Sequence, residues 1–204
     1  MKRLIAGLFL ATSLILAVPS PAHAAFVFTI SQVGNDVQIA GAGSLNFVGR
    51  TPVGPGVNEP AAEIIPSQGW LLNGISSTPA TSIYYNLGSQ GALVFGSGST
   101  TVATSEFGDY VGLFSYNGAG GIYQKGLFLS STYVLGTPLL NSSTYANTTL
   151  TSLGVTPGSY TVSWGIDSLT INVVPEPSTW VLFAVGGAVL AGYFLSHRRD
   201  VRVR

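Results

Sequence analysis

The chain has 204 residues, no cysteine and a formal net charge of zero, and only 8% of its residues are charged, against roughly a quarter in an ordinary soluble protein. That length suits one domain of common size plus terminal segments, and the missing thiols exclude disulfides, thiolate metal sites and a cysteine-acylated anchor. Six of the eight basic residues are terminal; between Ala25 and Val174 only Arg50 and Lys125 oppose six acids, a net of −4, so no basic patch neutralises phosphates and nucleic-acid binding is not expected.

Residues 1–24 divide into three parts. Lys2 and Arg3 form a positive start, residues 4–18 an uncharged apolar run, and Ala22-His23-Ala24 sets small side chains at the −3 and −1 positions of a signal-peptidase site. A cleaved export signal is expected, with the mature chain beginning at Ala25. The competing reading, a retained membrane helix, is disfavoured by the shortness of the apolar run.

Residues 25–173 read as β throughout. Phe26, Phe28 and Ile30 alternate with Val27, Thr29 and Ser31, and Gly34-Asn35-Asp36 suits a tight turn before Val37 and Ile39 resume the period of two. Leu45 and Phe47 continue that face past Gly41 and Gly43, where a bulge or a close backbone approach is expected. Between residues 49 and 69 stand Pro52, Pro55, Pro60 and Pro66, so this stretch is predicted as a long loop without a strand. Apolar runs follow at 82–87, 92–95, 110–116 and 126–135, separated by glycine and serine clusters, and residues 148–153 suit one helical turn.

The last hairpin is the clearest. Thr156-Pro157-Gly158-Ser159 fits a type II turn. Tyr160, Val162 and Trp164 then share a face, and Leu169, Ile171 and Val173 return on a partner strand. Short strands at this spacing predict an all-β ectodomain, an antiparallel β-sandwich, with an N-terminal signal peptide and one C-terminal transmembrane helix.

Residues 174–204 are of another kind. Val174-Pro175-Glu176-Pro177-Ser178-Thr179 carries two prolines that block helix and sheet, so the segment is expected to be extended and open to an enzyme. Residues 180–195 are apolar; counted from Ser178 to Ser196 the segment reaches about 28 Å as a helix, close to the thickness of a bilayer core. Trp180 and Tyr193 lie near its ends, where amphipathic rings prefer the interface. Ala184, Ala188 and Gly192 form a small-residue stripe, which is common in membrane helices and needs no partner to explain it. The tail at 197–204 holds Arg198, Arg199, Arg202 and Arg204 against Asp200, which keeps it in the cytoplasm and puts the preceding domain outside.

Motif, span and terminal Arg198-Arg199 in that order resemble the PEP-CTERM sorting signal, a family also catalogued as the ice-binding protein C-terminal domain. The resemblance covers about the last thirty residues. It implies a Gram-negative bacterium with an extracellular polysaccharide or biofilm system. It also implies recognition of the signal by exosortase, a membrane-embedded protease resembling a cysteine transpeptidase, with cleavage near Pro175-Glu176-Pro177. The stretch from Thr144 to Tyr160, with Trp164-Gly165 and Asp167-Ser168-Leu169-Thr170, also resembles a recurring ectodomain of such proteins, to which no activity attaches.

The chemistry open to the ectodomain is narrow. The chain's two histidines, His23 and His197, both lie outside residues 25–173, so Ser–His and Cys–His nucleophile pairs and imidazole zinc sites are not expected there. No Asp-x-Asp run suggests calcium, and no cofactor is expected. Glu59 with Glu63 and Glu106 with Asp109 are the nearest approach to a glycosidase pair, although solvated loop acids are the plainer reading. Asn141-Ser142-Ser143 and Asn147-Thr148-Thr149 match the glycosylation sequon, a pattern that arises readily by chance in a chain of this composition. Trp70, Tyr84, Tyr85, Tyr116 and Tyr123 are weighed as a sugar-stacking face against core packing, and core is favoured. Ice binding would call for a Thr-x-Thr ladder, which the sequence does not display. The expected role is therefore a non-enzymatic surface or matrix protein, structural, adhesive or polysaccharide-associated; a carboxylate-dependent glycoside hydrolase is the alternative.

Overall fold

The computed structural model describes residues 25–50, 52–55, 62–75, 82–89, 91, 93–117, 123–165, 167–175, 187 and 190. Alternation of apolar and polar residues organises the first strands. β1 (Ala25–Val33) buries Phe26, Phe28 and Ile30, and turns at Gly34-Asn35 into β2 (Asp36–Gly43), which buries Val37 and Ile39. The expected hairpin is present, with Ile30 opposite Ile39. The expected close approach at its glycines is present too: a Cβ on Gly41 would lie 2.1 Å from the Asn141 side chain and within 2.9 Å of the Phe26 and Phe28 rings.

The stretch predicted as a strandless loop departs from expectation. It contains β3 (Pro52–Pro55), β4 (Glu63–Ile65) and a 3₁₀ turn (Pro66–Gln68) before β5 (Trp70–Asn73). β3 tolerates its prolines because it is an edge strand paired on one side only, with a register shift between Pro52 and Gly54. β4 lies between prolines, and its three residues contain none.

The chain continues through β6 (Ser82–Ser89), β7 (Thr101–Val102), β8 (Ser105–Gly108), β9 (Val111–Asn117), β10 (Tyr123–Ser130) and β11 (Leu139–Tyr145). The described part of the run at 92–95, residues 93–95, forms no strand, though Leu93 and Phe95 are buried. The expected helical turn is α1 (Leu150–Leu153), capped reciprocally by the Thr149 and Ser152 side chains. β12 (Gly158–Trp164) and β13 (Asp167–Val174) form the expected last hairpin, Val162 opposite Leu169. Pro157-Gly158 makes no type II turn: Gly158 has φ 153° and already belongs to β12. The Tyr160 hydroxyl instead donates to the Thr156 carbonyl at 3.0 Å, in the manner of a tyrosine corner.

Two sheets result, of six strands in the order β12-β13-β1-β2-β11-β8 and of seven in the order β3-β6-β10-β9-β5-β4-β7. Their inner faces share one core, in which Phe47 stacks on Tyr85 at 4.3 Å and on Trp164 at 5.2 Å. The architecture is the expected sandwich with one correction. β1 and β13 pair in parallel, Phe28 beside Ile171, so the sandwich is not purely antiparallel. Among the described residues no helix is long and apolar enough to cross a membrane; the export signal expected at 1–24 lies outside them, as does the span predicted at 180–196 apart from residues 187 and 190.

Candidate functional site

The sorting segment leaves the fold without a linker. β13 is an interior strand between β12 and β1, and it stays paired to its last residue, Val174 opposite Ser31. Pro175 follows with no backbone N–H to donate, which ends the ladder. Val174 is 43% exposed and Pro175 is exposed. At the other end, Ala25 is both the expected first mature residue and the first residue of β1. Ala22, Ala24, Glu176, Pro177, Arg198 and Arg199 lie outside the described residues, as does the arginine tail.

Two of the four carboxylates weighed for catalysis, and two further acids, Asp36 and Asp167, hold backbone together. Glu106 accepts from the Ala62 N–H at 2.7 Å, bridging the two sheets. Asp109 accepts from the Leu140 N–H at 2.8 Å, and Asp36 from the Asn147 N–H at 2.8 Å. Asp167, 5% exposed, accepts from the N–H groups of Asn46 and Ser168, fixing the segment after β2 beneath Trp164, whose indole donates to the Asn46 carbonyl. Glu106 and Asp109 are thus neighbours in sequence with separate partners. Glu63 differs: burial raises its pKa, while the Trp70 indole N–H, which closes no ordinary hydrogen bond, offsets part of that rise. Glu59 lies outside the described residues. Among the described residues no group of three or more His, Cys, Asp or Glu is placed to hold a metal ion.

The two sequons separate sharply. Asn141 is 2% exposed; its amide donates to the Asp109 carbonyl at 2.8 Å and its Oδ1 accepts from Asn73 Nδ2 at 2.7 Å, tying β11 to β5 across the core. In the folded domain that nitrogen is buried and engaged with the Asp109 carbonyl. Asn147 is exposed, in a turn with φ 53°. Its partner Thr149 uses the hydroxyl to cap α1.

The aromatics divide between core and a second cluster. Tyr85 belongs to the main core. Trp70 packs with Phe114, Phe128, Tyr110 and Leu72 on the other face of the seven-stranded sheet, Phe114 stacking on Phe128 at 4.4 Å. The side chains of Tyr84, Tyr116 and Tyr123 lie outside the described set.

A feature not anticipated from sequence is the outer face of the six-stranded sheet. One row runs Thr161, Thr170, Val27, Ala42 and Leu140 across five strands. The next runs Ser159, Asn172, Thr29, Ala40, Ser142 and Phe107. No charged residue stands in either row. The hydroxyls of Thr161 and Thr170 bond to each other at 2.9 Å, and Leu140 and Phe107 are 63% and 65% exposed at one side. The signal was present as hydroxyl residues alternating with core residues, but only the strand order aligns them.

No curated protein and no solved structure matches the chain. Residues 173–199 match the family model described as the PEP-CTERM protein-sorting motif. The match begins inside β13 and takes in Val174 to Pro177 and both Arg198 and Arg199. The chain therefore carries a PEP-CTERM protein-sorting motif at its C-terminal end, which implies export, a membrane-anchored precursor and processing by exosortase.

Proposed function

We propose that the exported sandwich is a non-enzymatic surface or matrix protein that contacts neutral polysaccharide outside the cell. Support comes above all from the destination of the carboxylates: Asp36, Glu106, Asp109 and Asp167 each accept from a backbone N–H. An acid that fastens a loop is a poor proton donor to a glycosidic oxygen, which needs a free carboxyl opposite a second one. The charge-free hydroxyl face of the six-stranded sheet offers the contact surface, since neutral glycans exchange hydrogen bonds with hydroxyls and amides and shed little water from ions.

The test is co-sedimentation of the processed protein with the exopolysaccharide of the producing cells, beside Thr29→Lys and Thr170→Lys variants. Retention by the polysaccharide, lowered severalfold by the lysines, is the expected result. Retention untouched by either lysine would reject the face, and release of reducing sugar ends would reject the non-enzymatic reading.

A further inference from the structure

Strand directions decide which end of the sandwich meets the bilayer. β13 runs towards Val174, and β1 runs parallel to it, so the Val33 end of β1 lies at the same end of the sheet. β2 begins there, β11 ends there and β12 begins there. That end therefore carries the Gly34-Asn35 turn, the turn at Ala146-Asn147 and α1. Ala25 and the turn at Gly165 lie at the opposite end, about 20 Å away at 3.3 Å per residue.

Five residues, 175–179, separate Val174 from Trp180, where the predicted span begins. Fully extended they reach at most about 20 Å. Presenting the Ala25 end to the lipid would stretch this tether to its limit. The near end also exposes a valine pair, Val33 at 48% and Val174 at 43%, on the same face of adjacent strands.

We propose that in the membrane-anchored precursor the sandwich stands on the end formed by the Gly34-Asn35 turn and α1, which rests against the lipid headgroups. The mature N-terminus points outward, and the hydroxyl face stands upright and open. This rests on the anchored precursor that the sorting motif implies.

The absence of cysteine makes the test direct. Asn35→Cys and Thr151→Cys report the near end at two independent exposed positions, and Ala42→Cys reports the far end. Each chain, beginning at Ala25 and uncleaved at the sorting motif, carries a fluorophore on its single thiol and is reconstituted in phosphatidylcholine vesicles containing headgroup-nitroxide lipid. Quenching at 35 and 151 is expected to exceed that at 42 by threefold or more, and a Gly/Ser spacer of about twenty residues between Val174 and Pro175 is expected to erase the difference. Equal or reversed quenching in a membrane-bound chain overturns the orientation alone. Recovery of this chain, sorting motif intact, away from the vesicles overturns both the orientation and the anchored precursor.

Discussion

At the scale of single residues, polar side chains do the fastening that disulfides do in many exported domains. Asn141 and Asn73 bond across the core, and removing one leaves the other's buried amide without its partner. Asn141→Ala is expected to cost about 2–4 kcal/mol, combining lost bonds with a stranded donor and acceptor, read by urea denaturation. Its inward aim was not legible. Leu139 and Leu140 are adjacent and both apolar, so alternation leaves the face of β11 undecided, and the strand in fact buries Asn141 while exposing Leu140. Glu63 gives a pH-dependent test. Its folded pKa is raised by burial, so the native state binds its proton more tightly than the unfolded chain. Stability from this group is complete below the ordinary carboxylate range and is lost as pH rises through the raised value. Glu63→Gln is therefore expected to melt at or above the wild-type temperature at neutral pH, the gap closing near pH 4; a gap that widens on acidification would contradict this.

At the scale of elements, local signals were readable and remote pairings were not. The two hairpins, β1–β2 and β12–β13, announce themselves by alternation broken by glycine turns, and α1 falls within the turn expected at 148–153. β3 was hidden because its prolines forbid an interior strand, while an edge strand needs only one side of its backbone. The parallel β1–β13 pair was hidden for a different reason: parallel neighbours share no turn, so nothing nearby in sequence marks them. At Gly41, β2 is crowded by side chains from β1 and β11. Gly41→Ala would drive a methyl into the Asn141 amide and the Phe26 and Phe28 rings. It is expected to cost about 1–3 kcal/mol as overpacking, whereas Gly34→Ala, with open space around it, carries only the strain of its φ of 62°. Comparable losses at both positions would argue that backbone conformation, and not crowding, governs β2.

At the scale of the whole molecule, the two ends of the exported domain close the same sheet. β1 starts at the expected signal-peptidase site and β13 ends at the sorting motif, so the expected export cleavage and the sorting motif border strands that pair with each other. The motif itself was fully legible, because proline, span and arginine order act without tertiary structure; its attachment to an interior strand was not. A chain of residues 25–175 is expected to fold and melt cooperatively, whereas one ending at residue 166 loses β13, and with it the partner of both β12 and β1, and is expected to be unfolded by near-ultraviolet circular dichroism.

The most direct measurement is the intact mass of the protein recovered from cells with and without exosortase. With the enzyme, the mature species is expected to start at Ala25 and to lack the apolar span and arginine tail; without it, the chain is expected to run to Arg204. A C-terminus at Arg204 in both strains would contradict sorting through this motif.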